Sequence, residues 1–259
     1  MKQPAILLAI VTGLAFGQSP SPARKHIRVA AAADLRYAME ELIAQFRGAH
    51  PEIAVNASYG SSGNFYSQLS NRAPVDIFFS ADVEYPRKLA AQGLTIPGSE
   101  FSYAVGRIVV WVPRASPIDV EHLGIAALRH ASVAHIAIAN PRHAPYGKAA
   151  EAALRSLGVY AACQPKLVFG ENISQTLQFV QSGAAEIGIV ALSLAVSPAV
   201  ASQGKYWELP QTAYPKMEQG GAIMKWTRDA ASAQALRDFI LGKQGRALLK
   251  RFGFFPPGE

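Results

Sequence analysis

Four short segments of the sequence place small hydrogen-bonding residues just before a helical pattern, a position at which proteins can bind anions. They are Ala33–Leu35, Gly60–Asn64, Asn140–Gly147 and Gly170–Ser174. They offer mainly backbone N–H groups, hydroxyls and amides, and each helix N-terminus that follows carries roughly half a positive charge. Because such donors are oriented before an anion arrives, the pattern favours binding of a small anion without a fixed cation.

A single segment of this kind also has an ordinary structural explanation. Asp, Ser and Asn are preferred helix N-caps, and each stabilises its helix by about 1 kcal/mol. Asp34, for example, occupies the predicted N-cap position of a strongly amphipathic helix. The number of segments, two in each half of the predicted fold, is what favours a binding site.

The sequence contains no complete catalytic motif. Gly60–Asn64 approaches a nucleophile elbow, but Asn64 replaces the final glycine. Ser202–Lys205 matches S-x-x-K without a K-T-G partner, and Tyr146–Lys148 lacks the rest of a phosphate-binding loop. The histidines form no H-E-x-x-H pair, and Cys163 precedes a predicted strand rather than following one. We therefore predict a binding protein rather than an enzyme.

The composition excludes several classes of protein. Of 259 residues, 50% are hydrophobic and 17% are charged, which is not the composition of a disordered chain. Lys and Arg number 25 against 18 Asp and Glu, but the net charge of +7 is scattered, so no nucleic-acid partner is expected. A single cysteine excludes an intramolecular disulfide and a cysteine-cluster metal site.

Short apolar runs that alternate with helical patterns would position the four segments. The predicted strands are Ile27–Ala32, Ile53–Tyr59, Val75–Phe79, Ile108–Val112, Ile136–Ala139, Lys166–Phe169 and Ile187–Val190. Apolar residues at helical spacing predict helices around 35–46, 149–157, 173–180, 233–241 and 245–252. This alternation predicts an α/β fold of mainly parallel sheets flanked by helices, in which ligands bind at the carboxyl ends of the strands.

Two groups of strands divide the predicted fold into two lobes with a ligand cleft between them. We predict lobe 1 from residues 26–107 plus 220–259 and lobe 2 from residues 108–219. The last two helical patterns have no strands of their own, so they should pack on lobe 1. The chain would cross between the lobes twice, near Gly106–Arg107 and near Gln219–Gly220.

Residues 1–17 have the pattern of a signal peptide. Lys2 precedes an apolar run, Ala5–Gly17, that is too short to span a bilayer and ends in small residues. Residues 18–25 follow as a polar leader. We therefore expect an exported protein.

Seven motifs, taken in their order and spacing, resemble those of one known family. They are Ala31–Leu35, Tyr59–Gly63, Asp76–Asp82, Asn140-Pro141 with Pro145–Gly147, Gly170–Ile173, Gly188–Val190 and Lys250–Phe254. With them the chain resembles the ModA family, the periplasmic molybdate-binding proteins of ABC importers. The resemblance covers nearly everything from Ile27 to Phe254.

The resemblance implies a two-lobed type II periplasmic binding protein fold that encloses a tetrahedral oxyanion, molybdate and also tungstate. The oxyanion-binding residues carried over from the motifs are Asp34, Ser62, Tyr146 and Ile173. The supporting residues are Ser61, Leu35, Asn172 and Ala191. Molybdenum would be held only as the oxyanion, with no cofactor. The expected partner is an ABC permease in the membrane, and the expected form is a periplasmic monomer.

Asp34 and Ala191 depart from the family pattern, which commonly has Ser or Asn at the first position and often Tyr at the second. Tyr146 could fill the space of the missing tyrosine. Asp34 is harder to explain, because an ionised carboxylate repels a dianion by roughly 4 kcal/mol per unit-charge pair at about 4 Å and an effective dielectric of about 20.

Three explanations of Asp34 are open. In the first, its side chain turns inward as an N-cap and leaves only backbone N–H groups facing the ligand. In the second, the carboxyl group is protonated, or it accepts a proton from a protonated oxyanion. In the third, the ligand is not molybdate, which keeps a binding protein for phosphate, sulfate or another small anion as the alternative function.

Overall fold

The computed structural model of the chain describes residues 25–258. The predicted signal peptide, residues 1–17, and residues 18–24 of the predicted leader lie outside the described residues. Lys25, the last residue of that leader, begins the first strand. Within residues 25–258, no helix combines the length and the apolar character that crossing a membrane requires.

The described part of the chain contains two five-stranded sheets. The strands are β1 (Lys25–Ala32), β2 (Ile53–Gly60), β3 (Ile77–Ser80), β4 (Phe101–Gly106), β5 (Ile108–Pro113), β6 (Ile136–Ala139), β7 (Leu167–Gly170), β8 (Ile187–Ala191), β9 (Gly204–Glu208) and β10 (Met217–Ile223). The order is β2-β1-β3-β10-β4 in the first sheet and β7-β6-β8-β5-β9 in the second. We call the first sheet and its helices lobe 1, and the second sheet and its helices lobe 2.

Helices connect and cover the strands of each lobe. Those of lobe 1 are α1 (Arg36–Ala49), α2 (Ser62–Ser70), α3 (Glu84–Ala91), α9 (Ala230–Leu241) and α10 (Lys243–Arg251). Those of lobe 2 are α4 (Val120–Leu123), α5 (Pro145–Ser156), α6 (Tyr160–Cys163), α7 (Ile173–Gln181) and α8 (Leu192–Ala195). The two final helices, α9 and α10, pack on the core of lobe 1 through Leu236 and Leu248.

Each sheet contains one strand that runs against the other four, so the prediction of mainly parallel sheets is confirmed. β1 pairs in parallel with β2 and β3, and β6 pairs in parallel with β7 and β8. The antiparallel pairings all involve β5 or β10. The chain enters lobe 2 through β5 and returns to lobe 1 through β10. These two strands therefore run away from the lobe boundary, whereas the other strands run toward it.

Helix α1 shows how the sequence fixes the position of the first turn. Met39, Leu42, Ile43 and Phe46 recur at helical spacing, and all four are buried against the first sheet. Burying such a side chain fully contributes about 1.5–3 kcal/mol. The stripe anchors α1, and it thereby holds the turn Ala33–Leu35 at the carboxyl end of β1.

Candidate functional site

A small cavity lies where turns from both lobes meet, and its volume is about 190 Å³ including its opening. It is lined by Ala32, Ala33, Asp34, Gly60, Ser61, Ser62 and Ala81 of lobe 1 and by Ala144, Pro145, Tyr146 and Ile173 of lobe 2. None of these lining residues is Lys, Arg or His. The polar character of the cavity therefore comes from backbone groups, hydroxyls and one carboxyl group.

Two turns of lobe 1 form one wall of the cavity. Ala33–Leu35 is a short 3-10 turn after β1, and α2 begins at Ser62 after Ser61, which follows the last residue of β2. Ser62 is buried, and its Oγ accepts a hydrogen bond of 2.9 Å from the backbone N–H of Ala81. Because this bond uses a lone pair of the oxygen, the hydroxyl proton of Ser62 remains available for donation.

Two helix starts of lobe 2 form the opposite wall. Pro145 is the first residue of α5 and has no N–H, so Tyr146 carries the first N–H of that helix. Asn172 caps α7, where its Oδ1 accepts hydrogen bonds of 3.0 Å from the N–H groups of Ser174 and Gln175. This cap does not use the N–H of Ile173, the first residue of α7. With α2, three helices thus direct their positive ends toward the cavity.

Asp34 is the ionisable carboxyl group of the cavity, and it is only 1% exposed. Its Oδ2 accepts hydrogen bonds from Tyr146 Oη at 2.8 Å and from Gln219 Nε2 at 2.7 Å. Its Oδ1 is buried and has no hydrogen-bond partner among the described residues. The ion pairs found within residues 25–258 do not include Asp34.

The prediction that Asp34 caps a helix is wrong. Ala32 is in the cap position of the 3-10 turn, Leu35 is in the cap position of α1, and neither helix start has a side-chain cap bond. Asp34 lies inside the turn, and its carboxyl group bonds instead to Tyr146 and Gln219, which are distant in sequence. The first explanation of Asp34 therefore fails, and the explanations by protonation or by another ligand stay open.

Burial controls the ionisation of the groups at the cavity. It raises the pKa of Asp34 from its ordinary 3.8 to about 6, while hydrogen bonds from Gln219 and Tyr146 and the nearby N–H groups of Asp34 and Leu35 oppose part of the rise. Burial, together with the charge of Asp34, also raises the pKa of Tyr146 and of Tyr103 well above the ordinary 10.0. Both phenols are therefore neutral near pH 7.

Several hydrogen bonds join the lobes beside the cavity. Ser174 Oγ donates to the carbonyl oxygen of Ala33, and Ser193 Oγ donates to the carbonyl oxygen of Asp34, both at 2.9 Å. The N–H of Gly63 in lobe 1 donates to the carbonyl oxygen of His143 in lobe 2, also at 2.9 Å. The structure therefore shows the two lobes closed on the cavity.

A further group of contacts joins the lobes at the rim of the cavity. His143 Nδ1 lies 3.0 Å from Ser61 Oγ, and His143 Nε2 lies 3.5 Å from the Oε2 of Glu171. Asn64 of lobe 1 donates to Oε1 of the same glutamate. His143 and Glu171 both belong to lobe 2, so the contacts that cross between the lobes here are those of Ser61 and Asn64.

The structure brings five of the predicted contact residues to the cavity, namely Asp34, Ser61, Ser62, Tyr146 and Ile173. The other three lie beside it. Leu35 is buried in the core of lobe 1, and the side chain of Asn172 is used as the cap of α7. Ala191 ends β8, where it pairs with Ile108.

Three residues of the site were not singled out by sequence patterns. Gln219 is fully buried in β10 and lies 185 residues from Asp34, at a point where the sequence suggested only a crossing between lobes. His143 lies within the predicted segment Asn140–Gly147, so the sequence indicated its region but not the residue itself. Ser193 has no local signal, because its partner is a backbone carbonyl of the other lobe.

A metal centre and a reactive thiol are two other kinds of functional site. Within residues 25–258, no group of three or more His, Cys, Asp or Glu is arranged to hold a metal ion. Cys163 is buried at the end of α6, away from the cavity lining, and burial raises the pKa of its thiol. A raised pKa disfavours the reactive thiolate.

The two lobes and the cavity between them define a solute-binding protein, and the family model of bacterial extracellular solute-binding proteins matches residues 27–255. The molybdate-binding protein ModA of Rhodobacter capsulatus is 36% identical over 252 residues, which are 96% of this chain and 94% of that protein. ModA of Azotobacter vinelandii is 38% identical over 228 residues, 88% of this chain and 89% of that protein. The chain therefore belongs to the ModA family.

A solved structure supports the same assignment. The periplasmic molybdate-binding protein of Azotobacter vinelandii matches with a TM-score of 0.83 and 34% identity, covering 89% of this chain and 99% of that chain. The predicted family and the two-lobed type II periplasmic binding protein fold are confirmed. These relatives are named as binding proteins rather than as enzymes.

Proposed function

We propose that the protein binds a tetrahedral oxyanion, molybdate and also tungstate, between its lobes and delivers it to an ABC importer. Relatives that align with almost the whole chain are named for molybdate binding. The observation that carries the proposal is the cavity lining, in which helix starts from both lobes meet at two serines without a basic side chain. Such a site suits an anion bound by oriented neutral donors.

Each wall would supply donors to a different face of the tetrahedron. Ser62 would donate through its hydroxyl proton, while Tyr146 and Ile173 would donate through backbone N–H groups at the starts of α5 and α7. Selectivity against sulfate would come from size, because a smaller ion of the same shape cannot reach every donor. A buried donor left without a partner costs about 1–3 kcal/mol.

Transport would depend on the closure of the lobes. A ligand that contacts both lobes binds the closed arrangement more tightly than an open one. It shifts the equilibrium toward the closed arrangement by the difference between these two binding free energies. A membrane permease could recognise the closed surface and release the ion from it. In this proposal the protein is exported to the periplasm, acts as a monomer and uses no cofactor.

Asp34 favours a second candidate ligand, an oxyanion that carries its own proton, such as hydrogen phosphate. A carboxylate whose Oδ1 has no donor can accept a hydrogen bond from a P–OH group. Molybdate, tungstate and sulfate offer only acceptors near pH 7, so they would meet the charge of Asp34 directly. Of the two alternative ligands, phosphate and sulfate, phosphate is therefore the better candidate.

A thermal-unfolding panel tests the proposal. The purified protein is unfolded at about pH 6.5 with molybdate, tungstate, phosphate or sulfate, each over a range of concentrations. We expect molybdate and tungstate to raise the free energy of unfolding by about 4 kcal/mol at a thousandfold excess over Kd. A shift with phosphate or sulfate alone would contradict molybdate binding and support the alternative.

A further inference from the structure

The carboxyl group of Asp34 has an uneven set of partners. Oδ2 receives hydrogen bonds from both Tyr146 and Gln219, whereas Oδ1 receives none from the described residues. A buried, ionised oxygen without a donor is costly, but a protonated Oδ1 is itself a donor and needs only an acceptor. An oxyanion oxygen in the cavity would be such an acceptor.

The side chains that face Asp34 do not neutralise an ionised carboxylate. Tyr146 from α5 and Tyr103 from β4 are phenols that burial keeps neutral. Gln219 from β10 is neutral, and Ser193 from α8 bonds to the Asp34 carbonyl oxygen. An ionised Asp34 would therefore present its charge to any anion in the cavity.

The remaining adjacent elements do not change this balance. Helix α7 contains no titratable side chain, and the only one in α2 is Tyr66. On α1, Arg36 is the nearest cation along the chain, and it pairs with Glu40 at 3.7 Å on the exposed surface. These elements supply no cation to Asp34, so its charge is opposed only by hydrogen-bond donors and helix dipoles unless the carboxyl group takes up a proton.

We propose that Asp34 takes up one proton when the protein binds a fully deprotonated oxyanion such as molybdate, and that the resulting O–H at Oδ1 donates to the ligand. The inference rests on the proposed function, because it requires an oxyanion in the cavity. The proton comes from solvent, and Tyr146 and Gln219 keep their hydrogen bonds to Oδ2. No covalent bond to the ligand forms or breaks.

The pKa of Asp34 sets the pH range of this coupling. Burial raises the pKa to about 6, and an adjacent dianion disfavours the ionised form further. Molybdate affinity is then constant below the pKa of the ligand-free protein. Above it, the affinity falls by about tenfold per pH unit, because binding must restore a proton that the free protein has lost.

The same carboxyl group distinguishes two kinds of oxyanion. Hydrogen phosphate carries a proton, so it can donate to an ionised Asp34 without proton uptake from solvent. Molybdate and tungstate must obtain the proton from solvent. As the pH rises, the affinity of the site for molybdate therefore falls, because the proton must come from solvent. The affinity for hydrogen phosphate does not fall for this reason.

Calorimetry measures the proton directly. Molybdate is titrated into the purified protein at about pH 7.5 in HEPES, MOPS and Tris, whose ionisation enthalpies differ. We expect the observed enthalpy to vary with buffer in proportion to about one proton taken up per molybdate. In Asp34→Asn the uptake should fall to near zero, and the affinity should be independent of pH between about 6 and 8.5.

Asp229→Asn is the matched control. Asp229 caps α9, its Oδ1 accepts from the N–H of Ser232 at 3.0 Å, and asparagine is an equally good N-cap. The proton uptake should be unchanged in this variant. Uptake that persists in a folded Asp34→Asn protein would overturn the assignment to Asp34.

The pH dependence of the unmodified protein tests the inference without any variant. Molybdate binding with no proton uptake, and with constant affinity from about pH 5.5 to 8.5, would overturn the inference and leave the proposed function intact. Failure of both molybdate and tungstate to bind anywhere in that range would instead overturn the proposed function.

Discussion

The hydroxyl group of Tyr146 in lobe 2 lies 2.8 Å from the Oδ2 of Asp34 in lobe 1. Gln219 Nε2 completes a buried triangle, at 2.7 Å from the same carboxyl oxygen and 3.1 Å from Tyr146 Oη. Gly106 leaves room for this triangle, because a Cβ at position 106 would lie 2.5 Å from Tyr146 Oη and 2.6 Å from Gln219 Nε2. The charge of Asp34 and the closure of the lobes are therefore linked through one hydrogen-bonded group.

Tyr146→Phe should alter both the pKa of Asp34 and the closure of the lobes. The hydrogen bond from Tyr146 lowers the pKa of Asp34, so its loss should raise that pKa and extend molybdate binding to higher pH. The closed arrangement would also lose a hydrogen bond to a charged group, which contributes about 1.5–3 kcal/mol when Asp34 is ionised. Molybdate affinity measured from about pH 5.5 to 8.5 separates these effects.

The control for this prediction is Tyr160→Phe in α6. The ring of Tyr160 stacks on the guanidinium of Arg155 at 3.7 Å, an interaction that phenylalanine keeps, and it lies outside the cavity lining. The pH profile should be that of the unmodified protein. If Tyr146→Phe left that profile unchanged as well, Tyr146 would not tune Asp34.

Asp34→Asn should stabilise the ligand-free protein above about pH 6. The folded-state pKa of about 6 is above the ordinary 3.8, so the folded state holds the proton more tightly than the unfolded state. The stabilising contribution of this proton is complete below pH 3.8 and is lost as the pH rises through 6. Ionisation then costs the folded protein roughly 3 kcal/mol.

Urea unfolding at about pH 4 and about pH 7.5 measures this effect. Asp34→Asn should gain stability relative to the unmodified protein at the higher pH and little at the lower one. Asp229→Asn should show no such gain, because hydrogen bonds from Ser232 lower the pKa of Asp229. Equal effects of Asp34→Asn at both pH values would contradict a raised pKa at this position.

The sequence predicts the parts of the fold that have local signals. Ile136–Ala139 agrees with the structure because all four of its residues are buried, and the apolar stripe of α1 agrees because one face of that helix is buried. Three strands, β4, β9 and β10, were not predicted. β10 contains Gly220-Gly221, which suggested a crossing, yet a Cβ at Gly220 would clash with Val83 and the carbonyl of Phe101.

The site was predictable to the extent that turns follow strands. Ser62, Tyr146 and Ile173 lie at the starts of helices that follow β2, β6 and β7, so their place at one cavity follows from an α/β arrangement. The environment of Asp34 was not predictable in this way. Its partner Gln219 lies in an antiparallel strand far along the chain, and only the tertiary fold brings an amide to a carboxyl group there.

Ser62→Ala should weaken oxyanion binding. It removes a hydroxyl donor from the cavity and also leaves the N–H of Ala81 without its acceptor. A lost donor to an anion costs about 1–3 kcal/mol, which corresponds to a roughly 5- to 150-fold higher Kd for molybdate. Calorimetry at about pH 6.5 measures the change.

Ser67→Ala is the matched control on the same helix, because Ser67 is exposed and its side chain makes no hydrogen bond among the described residues. Its Kd should equal that of the unmodified protein. An unchanged Kd in Ser62→Ala would show that the hydroxyl of Ser62 does not contact the ligand.

Gly63 lies at the closest approach of the two lobes. A Cβ at this position would lie 2.5 Å from the carbonyl oxygen and 2.9 Å from the Cα of His143, which belong to the opposite lobe. Contacts this short with backbone cannot be relieved by a side-chain rotation. The lobes can relieve them by separating, without any change in the core of either lobe.

Gly63→Ala should therefore hold the lobes apart while α2 still forms, since alanine favours a helix by about 1 kcal/mol over glycine. We expect molybdate affinity to fall by at least about tenfold, about 1.4 kcal/mol. Small-angle scattering with excess molybdate should show a less compact protein than the unmodified one.

Gly48→Ala in α1, where a Cβ meets no atom within 4 Å, should leave both the affinity and the scattering unchanged. A Gly63→Ala protein that binds and compacts normally would mean that ligand binding does not require the closed arrangement described here.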